Sequence, residues 1–264
     1  MLKKRLIFTV LLEHKKFVLS RNFRLQSFGD LKWLMERYNF SQIAFALDEI
    51  IIVDVNRNNR KADVFCEHIK SINKTCFIPI SAGGGIQSFN DAKKILNSGA
   101  DKVVLNTILY KNPDVVYEIA EFYGNQCIVA SVDTKKNIDQ HNVYISNGSY
   151  KIEYNLDEWI KIISKLPIGE IYLNSIDNDG TGNGYNFEIL NFVPNNINMP
   201  IILAGGAGNY FHFAEGLKNT KVDAVATANL FNFIGDGLIN ARKKLIEENF
   251  NLVVWHELNE KFIS

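Results

Sequence analysis

Several things are scarce in this sequence, and each scarcity excludes a class of protein. There are three cysteines (Cys66, Cys76 and Cys127), an odd set without metal-ligand spacing. A disulfide framework is therefore excluded, and buried thiols in a reducing, cytoplasmic setting are expected. Five prolines and 17 glycines in 264 residues rule out a collagen-like or low-complexity chain. Charge of either sign is not in excess: 29 Lys+Arg balance 29 Asp+Glu, for a formal net charge of 0. No global basic field would draw in nucleic acid or anionic lipid. No apolar run approaches the roughly 20 residues needed to span a bilayer. The opening MLKKRLIFTVLLEHKK has only Leu6 to Leu12 as an apolar stretch. Glu13-His14-Lys15-Lys16 follows where a signal peptide needs small residues, so the segment reads as a first β-strand. His14, His68, His141, His212 and His256 are scattered without metal spacing, and no metal is expected.

What remains is an ordinary globular composition, 47% hydrophobic and 22% charged, with enough apolar residues for a sizeable core. Eight nearly continuous apolar runs read as strands: Arg5–Leu11, Glu49–Val55, Phe77–Ala82, Lys102–Asn106, Cys127–Asp133, Glu170–Ser175, Pro200–Ala204 and Ala224–Ala228. Such runs belong to parallel strands covered on both faces. Eight helical patterns alternate with them: Asp30–Tyr38, Lys61–Ile72, Ser88–Ser98, Asn112–Phe122, Leu156–Lys165, Tyr185–Phe192, Tyr210–Lys218 and Asp236–Glu248. Ser88 ahead of Asp91, Asn112-Pro113, and Asn155 ahead of Asp157-Glu158 are helix-start signals. Eight alternations with no switch in pattern favour a closed (β/α)8 TIM barrel over a doubly wound sheet, as one domain over residues 1–264. One segment breaks the alternation. Lys135 to Glu153 carries an Asn147-Gly148 turn between alternating runs, which predicts a β-hairpin inserted after strand five.

An internal repeat marks the functional face. AGGGI (82–86) is followed by SGADKVVLNT (98–107), and AGGAG (204–208) by TKVDAVATAN (220–229). The copies are offset by 122 residues, from Gly83 to Gly205. Each half thus carries a glycine-rich loop after its third strand and a second candidate loop after its fourth. Backbone N–H groups of such loops approach phosphate oxygens closely. Two matched loops in one barrel mouth predict an elongated ligand with a phosphate at each end.

On these residues the chain resembles the HisF family, the cyclase subunits of imidazole glycerol phosphate synthase. The resemblance spans essentially the whole chain and is carried by ISAGGGIQSFNDA, SGADKVVLNT, SVDTKKN, GEIYLNSIDNDGTGNGY and ILAGGAGN. It implies a cytoplasmic lyase of histidine biosynthesis without a cofactor. Such a subunit takes ammonia from a HisH-type glutaminase and uses it to cleave and cyclise an aminoimidazole-carboxamide ribonucleotide. The family motif implies a catalytic aspartate at Asp133. It implies phosphate or substrate contacts at Asp54, Gly84, Gly85, Asn106, Thr107, Asp177, Asp179, Gly205 and Gly206. Asn174 and Asn229 stand where the family has threonine and serine.

Two departures bear on chemistry. Family members carry a second aspartate at the end of strand one, and a carboxylate pair suits acid/base work. Here that position is Leu11, reached both by the motif alignment and by applying the repeat offset to Asp133. The family's catalytic-loop lysine falls on Leu19, while Lys15 and Lys16 are out of register and read as a solvated loop. The opposite face matches in full. Arg5, Glu49, Lys102 and Glu170 correspond to the family's ring of alternating charges that gates ammonia, and Asp101 to a position facing the glutaminase. This combination resembles the HisF-type proteins that help amidate surface-polysaccharide sugars together with a glutaminase and a sugar amidotransferase. A histidine-biosynthetic cyclase and a non-catalytic, phosphate-binding activator of the glutaminase are the competing expectations.

Overall fold

The computed structural model describes residues 3–38, 40–43, 45–138, 140–228 and 236–254. Strand β1 (Arg5–Glu13) runs into a hairpin of β2 (Lys16–Arg21) and β3 (Arg24–Asp30). Helices α1 (Leu31–Arg37) and α2 (Phe40–Ile43) then lead to β4 (Glu49–Asp54). The first half is completed by α3 (Ala62–Asn73), β5 (Ile80–Gly83), α4 (Phe89–Leu96), β6 (Lys102–Leu105), α5 (Thr107–Lys111) and α6 (Asp114–Tyr123). The second half repeats the plan. Strand β7 (Ile128–Asn137) enters a hairpin of β8 (Gln140–Ile145) and β9 (Tyr150–Asn155), followed by α7 (Leu156–Ile163) and β10 (Glu170–Ser175). A 3-10 segment at Phe187–Phe192, β11 (Ile201–Ala204), α8 (Tyr210–Lys218), β12 (Ala224–Thr227) and α9 (Gly237–Glu247) follow.

Strand β1 pairs in parallel with both β4 and β12, and β7 with both β6 and β10. The eight strands β1-β4-β5-β6-β7-β10-β11-β12 therefore close into a (β/α)8 barrel. Closure explains the continuous apolar runs. On β1, Leu6, Phe8, Val10 and Leu12 point outward into the core shared with the helices. Ile7 points inward, against Ile51, Val104, Val129, Ile202, Ala204, Ala224 and Ala226 from other strands. Both faces of each strand are dry, and each fully buried Leu or Ile contributes roughly 1.5–3 kcal/mol.

The helix starts follow the sequence signals. Ser88 accepts from the Asp91 N–H, and Asn155 and Glu158 form a reciprocal capping box. Each such cap is worth about 1 kcal/mol. The repeat has its own structural signature. Asp48, Asp101 and Asp223 each precede a strand and accept an N–H from the first or second residue of a neighbouring strand: Leu6 at 2.8 Å, Ile80 at 2.8 Å and Ile201 at 3.0 Å. Asp101 is thus tied to the barrel floor.

Three expectations require correction. The region after strand one, read as a solvated loop, leads into the β2–β3 hairpin, with Lys15 in the turn from β1 and Lys16 opening β2, both exposed. The two-residue turn of the β2–β3 hairpin is Asn22-Phe23, both at positive φ (50° and 62°). Phenylalanine carries no local preference for that conformation, so the turn has no sequence signal. The third barrel strand starts at Ile80 rather than Phe77, because Pro79 has no N–H to give the ladder. The pattern at Tyr185–Phe192 forms a 3-10 segment from Phe187 rather than an α-helix. The hairpin expected after strand five is present as β8–β9, closed by Asn147-Gly148 at positive φ.

Candidate functional site

At the N-terminal end of the strands, four charges form one closed ring. Arg5 bonds Glu49 at 2.9 Å and also reaches Glu170. Lys102 bonds Glu49 at 3.0 Å and also reaches Glu170. Ser81 donates to the remaining Glu49 oxygen. Burial alone would raise the Glu170 carboxyl, but hydrogen bonds and charge from Arg5 and Lys102 outweigh it and hold the group below the usual glutamate range. Each strand contributes the residue that opens it, so the barrel's register builds the ring.

At the C-terminal end lies a cavity of about 830 Å³. It is lined by both glycine loops (Gly84, Gly85, Gly205, Gly206) and by Asn106, Thr107, Asp133, Asn174 and Asp179. Gly84 and Gly206 occupy equivalent positions in the two halves, with φ of 107° and 110°. A Cβ on Gly84 would lie 2.2 Å from the Asp54 carbonyl oxygen, and one on Gly206 2.0 Å from that of Gly184. Only glycine fits either loop.

Asp133 ends the inward row of β7 and is buried. Asn174 Nδ2 donates to one of its oxygens at 3.0 Å, and Asn106 Nδ2 to the other at 3.2 Å. Desolvation raises its pKa, the Asn174 hydrogen bond works against this, and the Asp179 charge adds to it; the result is about 7. A carboxyl group so poised exchanges protons readily near neutrality. Across the mouth, Leu11 lines the same cavity together with Leu19, Val53 and Val55. That wall is apolar and carries no group able to move a proton.

The β2–β3 hairpin lies over the mouth. Asn22 Nδ2 donates to the carbonyls of Ile176 (3.1 Å) and Asp177 (2.7 Å). Asp179 accepts from the Ser20 hydroxyl and, at 3.1 Å, from the Phe23 N–H. At the tip, Arg57 donates to the Phe23 carbonyl at 3.0 Å, and the Phe23 ring abuts Gly148 of the second hairpin. The two hairpins, one from each half of the repeat, therefore meet over the cavity.

The comparisons agree with this geometry. The histidine biosynthesis protein family matches residues 23–235. A provisionally named imidazole glycerol phosphate synthase subunit hisF2 of Parasynechococcus marenigrum (strain WH8102) is 45% identical over 244 residues, covering 92% of this chain and 91% of its own. Imidazole glycerol phosphate synthase subunit HisF of Clostridium botulinum (strain 657 / Type Ba4) is 35% identical over 257 residues, 96% and 99% of the two chains. The subunit HisF of Bacillus cereus (strain G9842) is 34% identical over 251 residues, 94% and 98%. The chain belongs to the HisF family.

Not every residue expected from the HisF motifs faces the cavity. Asp54 is buried outside the cavity lining, and its Oδ1 accepts from the Asn56 backbone and side chain. It buttresses the Gly84 loop from behind. Asp177 accepts the Lys136 N–H at 2.7 Å and so anchors the extension of β7. Thr107 lines the cavity and also accepts the Ser146 N–H at 3.0 Å, tying α5 to the second hairpin. Asn229 lies outside the described residues. Among those residues, no helix is long and apolar enough to cross a membrane.

Sequence reasoning missed the cations of this HisF-type mouth: Arg21, Arg24, Arg57, Arg60 and Lys111 all line it. It also missed Tyr172, whose hydroxyl meets that of Thr9 at 3.2 Å inside the barrel. The loop after strand two was a findable signal, since barrel sites are built from such loops. The hairpin arginines were not, because the hairpin itself had no signal.

Proposed function

We propose that this chain is a HisF-type subunit that receives ammonia from a HisH-type glutaminase docked beneath its floor and passes it through the barrel toward a phosphorylated ligand held at the mouth. On this reading the ammonia ends in amidation of a surface-glycan sugar, with a sugar amidotransferase as downstream partner. One contrast carries the proposal: the Arg5–Glu49–Lys102–Glu170 ring is complete at the floor, while Leu11 stands opposite Asp133 at the mouth. An ion-pair ring excludes bulk water and must part for a small neutral molecule to pass. Above it, Asp133 takes up or gives up one proton, with no carboxylate opposite to take the complementary role. Losing a general acid or base typically costs about 10²–10⁴-fold.

The test is to co-express the chain with a HisH-type glutaminase from the same genome. Co-elution on size-exclusion chromatography and faster glutamine turnover are expected. Absence of both would overturn the reading.

A second reading, a histidine-biosynthetic cyclase, is favoured by the retained Asp133 with its Asn106 hydrogen bond and by the names of the relatives. Ammonia-dependent turnover of the ribonucleotide substrate by the purified chain separates the two. Under the first reading the rate lies orders of magnitude below that of a relative with the aspartate pair.

A further inference from the structure

The mouth cavity is strongly lopsided in charge. Its lining holds Arg21, Arg24, Arg57, Arg60 and Lys111, against the two carboxylates Asp133 and Asp179. Asp179 is already engaged by Ser20 and the Phe23 N–H. Among the described residues, the side chains of Arg21, Arg24, Arg60 and Lys111 form no ion pair or hydrogen bond. Arg57 reaches only the Phe23 carbonyl.

The cations are also unevenly placed. Arg57 and Arg60 are in the loop after β4, and the Arg60 side chain packs against Gly85. Lys111 is the last residue of α5, just past Thr107. Arg24 pairs with Arg21 across the hairpin turn, and the Arg57–Phe23 bond draws that turn toward the loop after β4. Arg57 and Arg60 thus sit at the Gly84-Gly85 end, the Arg21–Arg24 pair is held beside them through Phe23, and Lys111 closes the helix that starts at Thr107. Arg21 backs onto Gly180 of the loop after β10. The loops after β10 and β11, residues 176–186 and 205–209, contain no lysine or arginine of their own.

Like charges within a Debye length of about 8–10 Å repel one another. All five side chains are exposed and solvated, so their mutual repulsion is screened, but a multiply charged anion gains from all of them at once, and arginine forks match phosphoryl oxygens two at a time. A single phosphate monoester carries at most two charges. It would satisfy the glycine-loop N–H groups and leave part of this cluster unpaired.

We propose that the Gly84-Gly85 end binds two adjacent phosphoryl groups, so that the ligand is a diphosphate ester rather than a molecule with one phosphate at each end. This rests on the reading that the mouth holds a phosphorylated ligand, and it specifies the ligand's class. The inner phosphoryl would lie on the glycine-loop N–H groups, and the outer one among Arg24, Arg57, Arg60 and Lys111. The hairpin arginines would be the part of that cluster brought by the lid.

Calorimetric titration of the whole chain without divalent metal tests this, using inorganic pyrophosphate, orthophosphate and fructose 1,6-bisphosphate as probes. Pyrophosphate is expected to bind at least tenfold more tightly than either of the others. The exposed pair Arg24→Gln and Lys111→Gln should lower pyrophosphate affinity at least tenfold and orthophosphate affinity much less, with an unchanged circular dichroism spectrum. Preference for the bisphosphate, equal binding of all three probes, or an unaffected double variant would overturn the proposal. Glutaminase stimulation is read separately. Its loss with pyrophosphate binding intact would sink the ammonia-relay reading and leave this one standing.

Discussion

Leu11 on β1 faces the mouth from the strand diametrically opposite that of Asp133 on β7, four strands away in either direction round the barrel. A carboxyl group poised near neutrality therefore looks across the cavity at a hydrocarbon wall. Introducing Leu11→Asp should cost about 1 kcal/mol in stability, since the leucine is only half-buried. It should raise ammonia-dependent cyclase turnover by about 10²-fold, measured on the ribonucleotide substrate. An unchanged rate both here and with Leu19→Lys added would show that the missing pair is not what separates this chain from a cyclase.

Burial of Asp133 sets a pH dependence of stability. Its pKa is about 7 in the folded protein against 3.8 for a free aspartate. Between those values the folded state keeps a proton that the unfolded chain has released. The contribution is therefore fully present below about pH 4 and is lost as the pH rises through about 7. Asparagine does not ionise. Asp133→Asn should accordingly be more stable than the parent at about pH 8, by roughly 2–4 kcal/mol, and no more stable at about pH 4. Urea denaturation at the two pH values checks this.

Removing one cation from the floor ring should be costly. Lys102→Ala leaves Glu49 and Glu170 sharing Arg5 alone, and the Glu49 side chain is only 2% exposed. Stripping one partner from a buried ion network typically costs about 3–5 kcal/mol. The midpoint of chemical unfolding should fall accordingly. Lys102→Arg should recover part of the loss by keeping the charge.

The first hairpin should release without unfolding the barrel. Asn22→Ala removes two side-chain hydrogen bonds to the loop after β10 and places alanine at a φ of 50°. The expected cost is about 1–3 kcal/mol, confined to the hairpin. Amide hydrogen exchange over residues 16–30 should accelerate at least tenfold, with the exchange of β4 and β10 unchanged. Matching acceleration of the barrel strands would mean that the hairpin is part of the global core.

The sequence by itself determined the order of strands and helices, the matched glycine loops, the second hairpin and the residues of the floor ring. The first three are written in local periodicity, turn chemistry or a repeat spacing; the ring residues were legible as strand openers and, through the family resemblance, as a charge ring, which parallel-strand closure then assembles. Tertiary structure alone decided the rest. The Asn22-Phe23 turn exists because Asp179, Arg57 and Gly148, from three distant segments, hold it. Asp54 and Asp177 each accept a backbone N–H, from Asn56 and Lys136, a contact that no local pattern announced. The cation cluster was equally unreadable, since its members come from a hairpin, a loop and a helix end whose convergence depends on closure and register.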